Sequence, residues 1–552
     1  MVDLTDVTVL IPAAGRVPEG LVSFASVGTP AMIPVAGSPV ISRSVKYLTS
    51  LGARRFKVAV PQRGLAVEDF TETVFHGVAD FEWIVPKYDR GAGGTALELL
   101  DGVEGAGLVV LGDTLFEFDD SALPPDRPAV LVHDVTESDR WCIVEADPDG
   151  MVTAWRNKVP GLDLPLRAAI GVYWLPDAQA ALASVRASGL DRAERLVDVS
   201  ALLEAATDAA SSAVAVAAAS WRDCGNPDTQ EASRRQLLSE RVFNSLAFDE
   251  RLGTIRKSST NRAKLIDEIN YVRLLPADIA SLFPRIVRSS TSWDDPWVEM
   301  EYYGYPTLTE LYLYEPLRPQ WWTAIFDRLS TILDLFGEHP RPVDLRDTEA
   351  MYVDKTMERV DACRLQPHLA DWLAAPSLQV NGVAMPSFDE LLESAFDRVR
   401  PVLDEAVGAV VHGDFCFSNI LYDLRTGVCK LLDPRGSFGS AGIFGDQRYD
   451  VAKLHHSIAG GYDHLVAGLY RLGVDGGSAE LDVRRTESQL AAADVYREVL
   501  LSRWQGDQIS LITALMFSGL ASLHSESPER QLAMLVRASQ LLFGIVNEDG
   551  AS

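Results

Sequence analysis

From Val7 to about residue 230 the chain alternates short apolar runs, "VTVLIP", "RRFKVAVP", "FEWIVP", "GLVVLGD" and "PAVLVHD", with segments of helical period. That rhythm predicts βαβ units on a mostly parallel sheet, hence one α/β domain over residues 1–235. The stretch "TQEASRRQLLSERVFNSLAFDE" then predicts a helix running into a strand. It contains no Gly/Ser linker, so the next domain is expected to dock closely. Beyond it come a few strands ("RVFNSLAF", "GTIRKSS", "WVEMEYY") with a helix between them, followed by a long and mostly helical remainder. Strands first and helices afterwards predict a two-lobed α+β domain over 236–552, with an N-lobe at about 240–303 and a C-lobe at about 304–552. No internal repeat is visible.

Length and charge narrow the possibilities. A chain of 552 residues is too long for one ordinary core. Fifty basic residues against seventy-eight acidic ones leave a formal charge of −28. That balance disfavours nucleic acid and anionic membranes as partners and leaves small ligands or metal-screened anions. Cys142, Cys224, Cys363, Cys416 and Cys429 show no CxxC spacing, which argues against a zinc site or disulfide framework and for a reducing, cytoplasmic setting. The acidic start has no basic region of the secretory type. The Ala-rich "ALLEAATDAASSAVAVAAAS" is broken by Glu204 and Asp208 and falls short of a membrane span.

The most informative segment is "AVVHGDFCFSNILYDLRTGVCKLLDPRGSFG". It sets Asp414 in a loop after an apolar strand, Asn419 shortly after, and Asp433 at the end of "VCKLL". Phosphoryl transfer needs such a set: a carboxylate to orient the attacking hydroxyl, then an amide oxygen and a second carboxylate to hold Mg²⁺ on the ATP phosphates. The string resembles the aminoglycoside phosphotransferase and choline kinase superfamily through its HGDxxxxN loop and following aspartate. By that resemblance Asp414 is the catalytic base, Asn419 and Asp433 are Mg²⁺ ligands, and His412 braces the loop. "GDQRYDVAKL" resembles the family's GDxxxDLA segment, in which Asp446 and Asp450 support the site.

A kinase of this protein-kinase-like fold also needs a cation on the α and β phosphates, held by a helix carboxylate. "GTIRKSSTNRAKLIDEINYVRLLP" supplies a strand bearing Lys257 and a capped helix bearing Glu268, the expected pair. Lys264 is the rival lysine, on an exposed helix turn. "WVEMEYYGYPTLTEL" resembles the hinge between kinase lobes, where backbone groups from Met300 to Tyr302 would receive adenine. No GxGxxG precedes Lys257; only Gly253 is present.

Residues 7–233 resemble the sugar-1-phosphate nucleotidyltransferases, with a Rossmann-like fold as the implied architecture. "GAGGTALELL", with Gly94, and "LVVLGDTLF" match the family's Gly-Thr-Ala segment and metal aspartate, here Asp113. "IVEADPDGMVTAWRNKVPG" nominates Lys158 for the sugar phosphate, "RAAIGVYWL" is similar to the GIY strand, and "WRDCGNPDTQEA" nominates Asp223 as second metal ligand. A phosphate oxygen of the substrate would attack the α-phosphorus of an NTP, with a divalent ion between the two carboxylates.

The phosphate-clamping loop departs from the family's AAGxGxR and PKxxxPV patterns. It reads "AAGRVPEGL", so Glu19 replaces the arginine, and Pro30 replaces the lysine. Loss of one such stabiliser typically raises the barrier by about 3 to 4 kcal/mol. Either Arg16, beside Gly15, clamps from a shifted position with help from Arg43 or Arg63, or the domain binds a nucleotide or sugar phosphate without turning it over. The joint retention of Asp113, Asp223 and Lys158 favours an active enzyme. The expectation is therefore a bifunctional kinase and nucleotidyltransferase using Mg²⁺, ATP and a second NTP, with CTP or UTP as leading candidates. Its substrate would be a small alcohol, amino-alcohol or sugar, and its product an NDP-activated donor for capsule-type polymer or lipid head-group synthesis. An active kinase with a binding-only N-terminal domain is the alternative, and a non-catalytic scaffold would require Asp414, Asn419 and Asp433 all to be without a role.

Overall fold

The computed structural model describes residues 3–17, 28–61, 65–88, 90–190, 197–207, 213–239 and 244–547. Two compact units form, Met1–Leu237 and Leu238–Ser552.

The first unit contains strands β1 (Thr8–Pro12), β2 (Arg55–Ala59), β3 (Asp80–Ile84), β4 (Gly107–Val110), β5 (Thr114–Glu117), β6 (Ala129–Val135), β7 (Cys142–Ala146), β8 (Val152–Asn157), β9 (Leu166–Leu175), β10 (Val214–Ala217) and β11 (Ser220–Asp223). A nine-stranded sheet runs β8-β7-β9-β4-β1-β2-β3, with β6 pairing β9 and β10. Its apolar runs are buried on both faces where β1 lies parallel to β2 and β4, with Val9 opposite Phe56 and Leu108. The expectation of a mostly parallel sheet needs correction, because β9 runs antiparallel to β4, β6 and β7 and makes the sheet mixed. Within β9 the register shifts between Ala169 and Tyr173, with Gly171 at φ +85°. A side chain at Gly171 would meet Leu111 at 2.9 Å, and its carbonyl accepts the Leu111 N–H at 2.8 Å. That contact fixes the chain just before Asp113. Helices α1 (Val40–Ser50) and α2 (Gly91–Leu100) belong to this unit, as does most of α3 (Pro227–Ser239). Leu10, Leu99, Val109, Val130 and Tyr173 share its main core.

The second unit opens with an antiparallel sheet of β12 (Asn244–Asp249), β13 (Thr254–Ser259), β14 (Ile286–Ser290) and β15 (Trp297–Glu301), ordered β12-β13-β15-β14. Helix α4 (Arg262–Leu274), capped by Asn261, buries Leu265 and Ile269 against Val298 of that sheet. The rest is built on helices, among them α5 (Pro319–Gly337), α6 (Lys355–Arg364), α7 (Arg448–Ile458), α8 (Gly506–Ser518) and α9 (Pro528–Asn547). The mostly helical expectation misses two hairpins there, Ser377–Val380 with Val383–Pro386 and Arg471–Asp475 with Ser478–Asp482, which join into one sheet. Asn381 and Gly382 both take positive φ, the conformation a two-residue hairpin turn requires. Between α6 and α7 lie β16 (Gly408–Val410) and the hairpin β17 (Ile420–Tyr422) and β18 (Cys429–Leu431), which carry the HGD loop and Asp433. Among the described residues no helix is long and apolar enough to cross a membrane.

Candidate functional site

In the second unit, β13 and α4 bring Lys257 and Glu268 together: Nζ donates to Oε2 at 2.7 Å, with side chains 6% and 9% exposed. The same ammonium donates to Asp433 Oδ1 at 2.8 Å, joining the strand, the helix and the end of β18 in one cluster. Burial opposes the charge on Lys257, but Asp433 and Glu268 outweigh it and hold the ammonium protonated. Burial also pulls Asp433 upward, yet Lys257 keeps it below its ordinary value. Lys264, the rival, lies 3.8 Å from Glu268 with its side chain 55% exposed.

Asp433 has φ +53°, a left-handed conformation unfavourable for an aspartate. Backbone strain of this kind persists where surrounding structure enforces it. The enforcing contacts are visible: Leu432 N–H donates to the Asn419 carbonyl, and Arg435 N–H to the His412 carbonyl. Asn419 donates through Nδ2 to Asp414 Oδ2 at 2.9 Å and to the Asp414 carbonyl at 3.0 Å. Asp414, Asn419 and Asp433 thus share one loop system.

The HGD loop is braced from behind. His412 is fully buried, stacked on Phe283, and accepts the Asp414 N–H at Nδ1. Burial lowers its pKa to about 4, so the ring is neutral. Asp450 on α7 accepts the N–H groups of His412 and Gly413 at 2.7 and 2.8 Å. Asp446 is buried and held by Arg448 and by the Tyr352 hydroxyl.

Lys453, one turn beyond Asp450 on α7, is a site residue that sequence reasoning missed. Its Nζ lies 2.9 Å from Asp414 Oδ1, with its side chain 14% exposed. Burial would raise the Asp414 carboxyl, but this ammonium brings it down to about 2. The available signal is the helical spacing of Tyr449, Asp450 and Lys453, which turns the lysine to the same side as the bracing aspartate.

Met300 lies on β15 opposite Ile255 and Ile286, and lines a small, largely apolar pocket with Glu268, Val298, Leu431 and Asp433. The N–H groups of Glu301 and Tyr302 already donate to the carbonyls of Arg285 and Gly253. The hinge expectation is thereby narrowed, since those two donors are engaged within the protein.

In the first unit, antiparallel pairing of β5 and β11 sets Asp223 opposite Thr114, beside Asp113. Cys224 N–H donates to the Asp113 carbonyl, and a side chain at Gly225 would meet Asp113 Oδ2 at 2.5 Å. Asp223 is held by Asn226 at 3.1 Å and by the Thr229 hydroxyl. Burial, reinforced by Asp223, raises the Asp113 carboxyl to about 6. Sequence reasoning missed Gly225, Asn226 and Thr229 because their role depends on the pairing across β5.

The remaining predicted residues of this unit are not joined to that pair. Gly15 and Arg16 are exposed, and Arg16 has no hydrogen-bond or ion-pair partner among the described residues. Lys158 stands exposed in a left-handed turn after β8, its N–H on the Trp141 carbonyl. Gly94 is buried on α2, where an added side chain would strike Arg90. Pro30 begins a short helical turn, Pro30–Met32. Arg43 is corrected as a candidate clamp, since its guanidinium is taken up by the carbonyls of Val35 and Ala36 at 2.9 to 3.1 Å. Glu19 and Arg63 lie outside the described residues.

The donor chemistry fits Mg²⁺ at both places. Among the described residues there is no cluster of three or more His, Cys, Asp or Glu that would form an all-protein cage. Magnesium is commonly held by one or two carboxylates together with substrate phosphates, which Asn419 with Asp433, and Asp113 with Asp223, could provide.

The chain matches no protein-family model. D-glycero-alpha-D-manno-heptose 1-phosphate guanylyltransferase of Campylobacter jejuni is 25% identical over 130 residues, 23% of this chain and 58% of that protein. This chain therefore spans little more than half the length of that relative. Among solved structures, HddC from Yersinia pseudotuberculosis is 17% identical and aligns with a TM-score of 0.34 over 42% of this chain and 99% of its own. UDP-glucose pyrophosphorylase in complex with UDP-glucose is 19% identical, with a TM-score of 0.35 over 42% and 99%. The N-terminal region is thus similar to sugar-phosphate nucleotidyltransferases.

Proposed function

We propose that the chain is a bifunctional enzyme: an ATP-dependent kinase in residues 236–552 and a sugar-phosphate nucleotidyltransferase in residues 1–235. The observation that carries the kinase half is the single ammonium of Lys257 shared by Glu268 and Asp433, with Asp414 and Asn419 in the adjoining loop. Lys257 would meet the α and β phosphates, Asp414 would orient the acceptor hydroxyl, and Asn419 with Asp433 would hold Mg²⁺. When bound there, Mg²⁺ neutralises charge on the phosphates. In the N-terminal half, Asp113 and Asp223 would hold the divalent ion while a substrate phosphate attacks the α-phosphorus of an NTP. Lys158 and Arg16 are the cations nominated for the phosphates.

The test is incubation with Mg²⁺, ATP, a panel of NTPs and candidate alcohols and sugars, with detection of phosphorylated and NDP-linked products. Asp414→Asn should stop the first step and Asp113→Asn the second. Pyrophosphate release that survives Asp113→Asn would overturn the N-terminal assignment. A second reading, a kinase with a binding-only N-terminal domain, is favoured by one observation: Arg43 is already committed to backbone carbonyls. Nucleotide binding without pyrophosphate release would decide for it.

A further inference from the structure

The Asp414 carboxylate is held at both of its oxygens. Asn419 donates to Oδ2 at 2.9 Å, and the Lys453 ammonium lies 2.9 Å from Oδ1. In the kinase reading the Asn419 amide has a further duty towards Mg²⁺, and Lys257 divides its ammonium between Glu268 and Asp433. Lys453 is committed to Asp414 alone: among the described residues its ammonium has no other partner, and Asp414 has no other ion pair. An ammonium carries three N–H donors, so two remain unspent beside the carboxylate.

Stability alone does not account for this pair. The Lys453 side chain is 14% exposed, and taking an ammonium out of water costs about as much as its attraction to one carboxylate returns. The Asp414 side chain is 36% exposed, so water could solvate it without a lysine. A desolvated cation spent on a half-exposed carboxylate at a proposed reaction centre points to a role in the reaction.

The ammonium is also placed rigidly. Asp450, one helical turn earlier on α7, accepts the N–H groups of His412 and Gly413 at 2.7 and 2.8 Å, which pins the helix bearing Lys453 to the loop bearing Asp414. The Tyr449 ring, 6.0 Å from Nζ, flanks the lysine on the same helix. Such fixity matters because a misplacement of about 1 Å in a reacting group can cost about 100-fold in rate. Charge matters as well. A transferred phosphoryl group spreads its negative charge over three oxygens, and a bare carboxylate beside it would repel it. Lys453 offsets that repulsion and still leaves Asp414 able to accept, since a carboxylate offers about four acceptor positions and Asn419 and Lys453 take one each.

Resting on the kinase reading above, we propose that Lys453 is a positioning residue for phosphoryl transfer: through Oδ1 it fixes the Asp414 carboxylate for the acceptor hydroxyl, and it supplies the counter-charge that admits the γ-phosphoryl group beside that carboxylate. The hydroxyl oxygen bonds to the γ-phosphorus of ATP as the bond from that phosphorus to the β–γ bridging oxygen breaks. ADP leaves with the electron pair, and the hydroxyl proton passes to Asp414. Lys453 serves this step, whereas nucleotide binding falls to Lys257.

The experiment follows ADP formed from Mg·ATP by the full chain, with water, glycerol, glucose and choline each offered as the acceptor, and uses whichever acceptor wild type turns over fastest. Lys453→Met should lower kcat by about 100-fold or more and leave KM for ATP within about threefold, the pattern of an interaction that serves the transfer step and not nucleotide binding. Lys453→Arg, which keeps the charge, should retain about a tenth of wild-type kcat or more. Lys453→Ala should regain at least tenfold in kcat on addition of ethylammonium chloride, and nothing on addition of sodium chloride at the same ionic strength. A merely structural lysine would not show that rescue. ADP formation abolished by Asp414→Asn but kept within about threefold of wild-type kcat by Lys453→Met would overturn the positioning role alone. So would a Lys453→Met protein whose KM for ATP rises in step with its loss of kcat, together with a Lys453→Ala protein that ethylammonium does not restore. ADP formation that Asp414→Asn leaves intact, or that wild type lacks with every acceptor, would overturn the kinase reading and the role of the lysine with it.

Discussion

Lys257 is the residue on which the second unit's charges converge. Replacing it with Met leaves Glu268 buried without its cation, and breaking a buried pair costs about 3 kcal/mol or more in stability. On the proposed kinase reading the same change removes a preorganised phosphate ligand, for an expected loss of about 100-fold or more in kcat/KM for ATP. Chemical unfolding and ATP kinetics on Lys257→Met should show both effects; a variant as stable and as active as wild type would contradict the assignment. Asp414, Asn419, Asp433, Lys257 and Glu268 are legible in the sequence because their chemistry is carried by short strings and by one strand–helix pair. Lys453 is not, because it reaches Asp414 from a helix far along the chain, and only the packing of α7 behind the loop brings the two to 2.9 Å. In the first unit Arg43 illustrates the opposite error: a cation close in sequence to the expected clamp is occupied by its own helix's approach, the carbonyls of Val35 and Ala36.

At the scale of elements, the antiparallel pairing of β5 with β11 is what turns two separated aspartates into neighbours. Gly225, just past β11, is the tight point of that arrangement, since any side chain there lies 2.5 Å from Asp113 Oδ2. Gly225→Ala should therefore displace Asp113 and reduce nucleotidyl transfer by at least tenfold, while phosphorylation at Asp414 continues; assaying the two reactions separately on one sample checks this. The apolar runs of β1, β2 and β4 are readable from the sequence because burial on both faces leaves a nearly unbroken signal. The mixed character of the sheet is not, because the apolar run of β9 carries no mark of its direction relative to β4, β6 and β7. The Asn381–Gly382 hairpin does carry a local signal, a dipeptide suited to positive φ, within a stretch whose surroundings read as helix.

Over the whole molecule, the second unit keeps His412, His455 and His464 neutral with pKa lowered to about 4, and His456 to about 3, in each case first through burial. The native state thus binds fewer protons than the unfolded chain between those values and the ordinary 6.5. Stability from each ring is fully present above pH 6.5 and is lost as pH falls towards about 4, at about 1.4 kcal/mol per unit. His464, hydrogen-bonded to Gln489 at 3.0 Å, is away from the reacting groups and suits a test. The difference in unfolding free energy between wild type and His464→Gln should shrink steadily below pH 6.5 in urea titrations. A difference independent of pH would contradict it.

The Asp113 and Asp223 pair has a consequence for the first unit that concerns folding more than chemistry. Two like charges held side by side, one with its carboxyl pushed up to about 6, oppose the native state until a cation arrives. A divalent ion that binds the folded unit and ignores the unfolded chain adds stability by mass action, about 2.7 kcal/mol at a concentration one hundred times its Kd. Chelation should therefore lower the melting transition of the first unit in wild type and leave that unit's transition unmoved in Asp113→Asn, which would tie the folded fraction of this unit to magnesium supply.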